Sequence, residues 1–224
     1  MIRSNERERL DEADIPEKDL LASLLFMRRV NRFFWGARVI LDYFSSYSVP
    51  DHFSVLDIGT GSGDIPYALS RWATCHHKKA DITAIDTHAS CIAYAQKNFK
   101  TEGLFYKTAS AFDLEALGKF DFIISSMFFH HLTDEEIVRL LVLVHRNAKK
   151  GFIINDLYRS RIAYAGAAFL AFFSFKNIVM NDATLSVKRS FTEEDFVRYA
   201  RLARIPESRI QKKPVFRIEL SHYA

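Results

Sequence analysis

The chain has 224 residues, 49% hydrophobic and 14% aromatic. That is enough apolar side chain to bury one sizeable core, and it excludes a globally disordered protein. The net charge of +4 comes without a run of five like charges, which excludes a basic nucleic-acid arm.

Residues 1–19 are polar and charged, lack the apolar core of a secretory signal, and read as loosely held. From Leu20 to Ser46, apolar residues recur at spacings of three and four, with Arg28, Arg29 and Arg32 between them. This is a helical pattern that Gly36 divides in two. Residues 1–50 thus form an N-terminal helical cap ahead of a main unit, 51–224. Past Pro50 the rhythm changes. "FSVLDIG" is a short apolar run bounded by turn residues, as in a buried strand, and "DIPYALSRWAT" reads as a helix opening on Asp64. "ADITAID", "LFYKTAS", "FDFIISSMFF" and "KGFIINDLY" read as further strands. Between them lie a helix running from Ala89 and stopping at Gly103, and an amphipathic helix, "DEEIVRLLVLVHRNA", with an acidic first turn. A hydrophobic helical segment over about 162–175, a helix capped by Thr192 and a terminal strand, "PVFRIELSHY", complete the chain. The clean apolar part of 162–180 is shorter than the roughly 20 residues of a membrane span. It reads as a buried or interfacial helix.

Alternating strands and helices imply an α/β fold with a doubly wound, mostly parallel sheet. Ligands of such sheets bind beyond the carboxyl ends of the strands, typically at the first strand-to-helix turn. Here that turn is "DIGTGSGD". Its glycines at 59, 61 and 63 permit positive φ and close approach of a ligand. The spacing is GxGxG rather than the dinucleotide GxGxxG, and no GK[ST] follows. Asp64 would repel a pyrophosphate. What fits is a ligand with a sugar and a base but no phosphates. Asp86, ending the second strand, suits both hydroxyls of a ribose.

These residues resemble the class I S-adenosylmethionine-dependent methyltransferases. "VLDIGTGSGD" looks like their first motif, "AIDTHASCIAYAQKN" like the segment carrying their ribose-binding acid, and "FDFIISSMFFHHL" like their fourth motif. The likeness covers about 53–158. A closer one, to bacterial stand-alone methyltransferases encoded beside type III polyketide synthases, rests on "VNRFFWGARVIL", "INDLYRSRIAY" and "SVKRSFTEEDF". The resemblance implies a seven-stranded Rossmann-like sheet and S-adenosyl-L-methionine as cofactor. Asp57, Gly59, Thr60, Gly61 and Gly63 would line its methionine and ribose, Asp86 would hold the ribose, and Thr87 would lie against the adenine. Ser110 stands where the family often has an acid, with Ala111 and Phe112 after it. Ser126 would sit near the sulfonium, although Ser110 and Ser126 also read as small spacers at strand ends.

Methyl transfer needs alignment in a water-poor site, and a base only when the nucleophile arrives protonated. His130 and His131 follow the fourth strand. His130 is the candidate base or substrate orienter, and His131 reads as a backbone bracket; both also suit structural roles. Arg32 is placed to pair with the methionine carboxylate, or else lies on a solvated helix face. Asp156 would face the substrate or fix a loop, and Arg159, Arg161 and Arg189 would meet an acidic or phenolate substrate or lie on the surface. The segment 159–188 reads as a substrate-binding insertion, with Phe169, Phe172, Phe173 and Phe175 as an aromatic wall or as core. His76 and His77 have too few companions for a metal, and no metal site is expected. Cys75 and Cys91 match neither CxxC nor zinc spacing and read as free thiols of a reducing, cytoplasmic compartment. "SSMF" in place of NPPY argues against nucleic acid as substrate. A small lipophilic or phenolic, polyketide-like substrate, methylated on oxygen, is the leading expectation. C-methylation of a quinone-type ring, a non-catalytic cofactor-binding partner protein, and, disfavoured by Asp64, a dinucleotide-dependent reductase are the alternatives.

Overall fold

The computed structural model describes residues 1–9, 15–172, 177–205 and 207–223. Phe173 and Phe175 lie outside the described residues. Seven strands form one sheet in the order β3-β2-β1-β4-β5-β7-β6. They are β1 (His52–Ile58), β2 (Lys79–Asp86), β3 (Leu104–Thr108), β4 (Phe120–Ser126), β5 (Ala148–Leu157), β6 (Arg209–Lys213) and β7 (Arg217–Tyr223). Strands β1 to β5 pair in parallel, while β7 is antiparallel to both β5 and β6.

The central strands are buried on both faces, which is why they read as nearly continuous apolar runs. Along β1, Phe53 and Val55 enter one core layer, and Leu56 and Ile58 enter the other. Helices α2 (Gly36–Ser46) and α3 (Asp64–Cys75) cover the first layer. Helices α6 (Asp134–Asn147) and α9 (Glu193–Leu202) cover the second. Thr133 and Thr192 each cap one of these two helices with a reciprocal capping box. The expected α/β, doubly wound architecture with its N-terminal helices, α1 (Glu17–Phe33) and α2, is therefore present.

Several boundaries differ. The helix expected to reach Gly103 is α4 (Ala89–Asn98). Gly103 instead forms a turn with φ +76°, whose carbonyl accepts a hydrogen bond from Ile82 N. Strand β4 stops at Ser126 because Met127 turns to φ +56°. Strand β6 was unread, its charged sequence hiding an edge strand. Helix α7 (Arg161–Phe172) is followed by an unread helix, α8 (Asn177–Arg189).

The N-terminal stretch is not loosely held where the structure describes it. Arg3 donates to Arg189 O at 2.7 Å, to Leu132 O at 2.8 Å and to Asp134 Oδ1 at 2.6 Å. Ser4 N reaches Lys188 O, and Glu8 is 2% exposed. A polar sequence reads as solvated, but here its charges find buried partners on the far side of the fold. Among the described residues, no helix is long and apolar enough to cross a membrane.

Candidate active site

The turn after β1 is pinned to β2: Gly59 N and Thr60 N both donate to Ile85 O, at 3.0 and 2.9 Å. Asp86, at the end of β2, closes the bracket. Its Oδ2 accepts from Gly61 N and its Oδ1 from His88 N, each at 2.9 Å. One lone pair on each oxygen is thereby used, leaving a second for a ligand hydroxyl.

Two connected cavities surround this turn. One is bordered by Leu24, Gly59, Gly61, Asp86, Thr87, Ala109, Ala111, Phe128 and His131. The other is bordered by Asn31, Asp57, Gly59, Thr60, Gly61, Asp64 and Ser126. Gly61 keeps open space above it, since a Cβ there would meet only Leu24 Cδ2 at 3.9 Å. The residues fit an adenosyl ligand with a cationic end. Asp57 Oδ2 is buried without a hydrogen-bond partner, and Asp57, Asp64 and Asp86 gather three carboxylates around the turn. Burial pushes the Asp57 carboxyl up to about 7, and the charges of Asp64 and Asp86 add to the shift. Burial also raises Asp64, against the hydrogen bond from Ser62. Such a field favours a sulfonium or ammonium over a phosphate.

Not every expected residue reaches these cavities. Gly63 borders neither; a Cβ there would come within 2.7 Å of Ala95 Cβ and 2.9 Å of Tyr106 Oη. Its role is to let α3 pack closely. Ser110 accepts from Phe112 N at 3.1 Å and starts the 3-10 turn at Ala111–Asp113. The Phe112 ring lies under the Arg139 guanidinium rather than against the cavity. Arg32 is exposed, with its guanidinium 6.0 Å from the Phe33 ring centre. The neighbour that faces the turn is Asn31. Ser126 accepts from Asn155 Nδ2 at 3.0 Å.

A third, mostly apolar cavity lies between α1, α7, α8 and the start of β7. It is walled by Phe26, Val30, Phe34, Leu157, Ala163, Leu170, Val179, Val187 and Phe216. Met27 and Met127 border all three cavities, so those two side chains are the wall that this cavity shares with the glycine-turn cavities. The left-handed backbone of Met127 is what carries its side chain across the junction. Helix α7 turns its small residues inward; Phe169 and Phe172 are 65% and 62% exposed, and Arg161 is exposed too. Among the described residues, the aromatic side chains at this cavity are Phe26 of α1, Phe34 just after it and Phe216 just before β7.

His130, 1% exposed, borders the apolar cavity. Its Nδ1 is 2.7 Å from Asp156 Oδ1, and its backbone N donates to Asp156 Oδ2 at 3.2 Å. Burial would raise the Asp156 carboxyl, but the charge and hydrogen bond of His130 outweigh it and hold the group below the usual carboxylate range. Asp156 is therefore an acceptor, and Nδ1 carries the proton. His130 Nε2 lies 3.6 Å from Glu8 Oε1, and His131 Nδ1 lies 3.9 Å from Glu8 Oε2. These three residues offer ligand atoms within 4.8 Å of one another, close enough to hold a cation. Glu8 was invisible to sequence reading because 122 positions separate it from His130. Arg159 and Arg189 are consumed by the fold. Arg159 pairs with Asp195 and with carbonyls, and Arg189 donates to the carbonyls of His130 and Glu6.

Arg217, also unread, is fully buried and borders the apolar cavity. Nε donates to Phe34 O at 3.3 Å, Nη2 donates to Asn31 Oδ1 at 3.2 Å, and Nη1 has no partner among the described residues. Burial pulls its pKa down to about 10, against the opposing charges of Asp156 and Asp64.

The fold is a Rossmann-like sheet with the glycine turn after β1, the architecture of class I methyltransferases. A family model described as a methyltransferase domain matches residues 55–151. No curated protein sequence matches. Among solved structures, the plantazolicin methyltransferase BamL, solved with SAH, is similar with a TM-score of 0.67 at 19% identity, over 88% of this chain and 72% of that one. A putative O-methyltransferase from Nostoc punctiforme gives 0.69 at 17%, over 100% and 64%. The magnesium protoporphyrin IX methyltransferase from Synechocystis, with bound SAH, gives 0.59 at 14%, over 94% and 87%. Over residues 55–151 the chain is similar to a methyltransferase domain, and its fold is that of S-adenosylmethionine-dependent methyltransferases solved with SAH.

Proposed function

We propose that this enzyme methylates an oxygen of a small lipophilic, phenolic or polyketide-like molecule, with His130 as the base. The observation that carries the reading is the Asp156–His130 pair, 2.7 Å apart, at the wall of an apolar cavity that shares Met27 and Met127 with the cavities at the glycine turn. Bound S-adenosylmethionine supplies an electrophilic methyl group. Asp86 would hold the ribose and Thr87 would flank the adenine, with Asn31, Asp57 and Ser126 at the methionine end. Asp156 fixes the His130 ring through Nδ1, so that Nε2 takes the hydroxyl proton as the oxygen–carbon bond forms and the carbon–sulfur bond breaks. Asp156 and Glu8 on either side stabilise the imidazolium produced. The N-terminal segment, α1, α7 and α8 cover the substrate and exclude water. The neighbours described as a plantazolicin methyltransferase and a putative O-methyltransferase fit this reading.

The test is methyl transfer from S-adenosylmethionine to a panel of alkylated phenols, with products resolved by mass spectrometry and fragmentation. Methyl ethers support the reading. Ring-methylated products, or turnover of hydrophilic substrates alone, contradict it.

A further inference from the structure

We propose that Arg217 is a substrate anchor that selects lipophilic molecules bearing a carboxylate. This rests on the reading of the apolar cavity as the substrate site. A guanidinium is rarely left fully buried without a counter-charge, because desolvating it is costly. Among the described residues, no carboxylate lies within 4.0 Å of Arg217, and its two hydrogen bonds go to neutral oxygens, those of Phe34 and Asn31. Nη1 keeps two N–H donors with no acceptor among the described residues. The same side chain borders a cavity whose neighbouring walls, Phe34 and Phe216, are apolar. A buried cation with unspent donors at the edge of an apolar cavity is built for an anion that brings its own apolar body.

The acidic groups at this cavity do not oppose the assignment. Glu8 accepts from Ser186 Oγ at 2.8 Å, and Asp182 accepts from Arg9 N at 3.2 Å, both on the wall formed by α8 and the N-terminal segment. Arg217 lies on β7, paired in register with Leu157. Of the arginines expected to meet an acidic substrate, Arg159 and Arg189 already serve structural partners and Arg161 is exposed. The role therefore falls to a residue on a different element.

The experiment compares 4-octylbenzoate with 4-octylbenzamide, two probes of nearly equal shape, by calorimetry on the protein saturated with S-adenosylhomocysteine. The expected result is a preference for the carboxylate of about 10-fold to 100-fold, the range of one charged hydrogen bond. In Arg217→Met that preference falls to within about 3-fold, while S-adenosylhomocysteine affinity changes little. Equal binding of the two probes by wild type, or failure of the benzoate to bind, overturns the proposal whether or not the variant folds. Retention of the preference in Arg217→Met also overturns it. So does a loss confined to S-adenosylhomocysteine affinity, which would assign Arg217 to the cofactor. Methyl transfer to neutral phenols without discrimination between the probes would leave the methyltransferase reading standing and remove only this one.

Discussion

Replacing Asp57 by Asn should change the pH dependence of stability in a way that few single substitutions do. The carboxyl is 1% exposed, and burial raises it to about 7 in the folded chain. In the unfolded chain it titrates near its ordinary value of about 4. Between those values the folded protein holds a proton that the unfolded chain has released. Stability from this group is therefore full below pH 4 and falls by about 1.4 kcal/mol per unit as pH rises towards 7. From pH 5 to pH 7 the loss is about 2–3 kcal/mol. Asp57→Asn keeps the shape and removes the titration. Urea unfolding of the ligand-free protein and the variant at both pH values reads the term together with its coupling to Asp64 and Asp86, because groups that do not interact with Asp57 contribute equally to both. The variant should gain about 2–3 kcal/mol on wild type between pH 5 and pH 7. A difference that stays constant to within about 0.5 kcal/mol, smaller than a single half-unit shift would give, would refute the assignment of a buried, unpaired carboxylate.

Gly61→Ala and Gly63→Ala should separate binding from packing. The first costs about 1 kcal/mol for its φ of +53° but sets a methyl in the ligand space, so S-adenosylhomocysteine affinity drops at least about 10-fold. The second forces a Cβ within 2.9 Å of both Ala95 and Tyr106, so calorimetric unfolding should show a loss of about 2 kcal/mol or more. Asp86→Ala should weaken S-adenosylhomocysteine by at least about 100-fold in a titration, the worth of two hydrogen bonds to a carboxylate. Arg3→Ala should lower Tm by several degrees, since it leaves the carbonyls of Arg189 and Leu132 without their donor at a cost of about 2–3 kcal/mol.

The parts legible in the sequence were those where local pattern and final environment agree. The runs "FSVLDIG" and "ITAID" are buried on both faces, so their apolar content announced the sheet, and the glycine turn with Asp86 followed from spacing. Arg217 was hidden for the opposite reason. In "FRIELS" the alternation gives Ile218 and Leu220 to one core layer and suggests water for Arg217 and Glu219. Both are buried all the same: Asn31 and Phe34 lie over Arg217, and Glu219 pairs with Lys213 on β6. Glu8 was hidden by distance along the chain. Phe169 and Phe172 misled because periodicity shows that a helix has faces but not which one its neighbours cover. Here the cavity is met by Ala163, Gly166, Ala167 and Leu170. Gly63 was assigned to the ligand by its motif, while its contacts show a packing role.

The most direct test of the account is single-turnover methyl transfer to an alkylated phenol by wild type and by His130→Asn, whose amide replaces the Nδ1 donor to Asp156 but offers no base. S-adenosylhomocysteine affinity is measured in parallel. A rate lower by at least about 100-fold with unchanged affinity is the expected result. A rate within a few-fold of wild type would make His130 a structural bracket and contradict its role as the base.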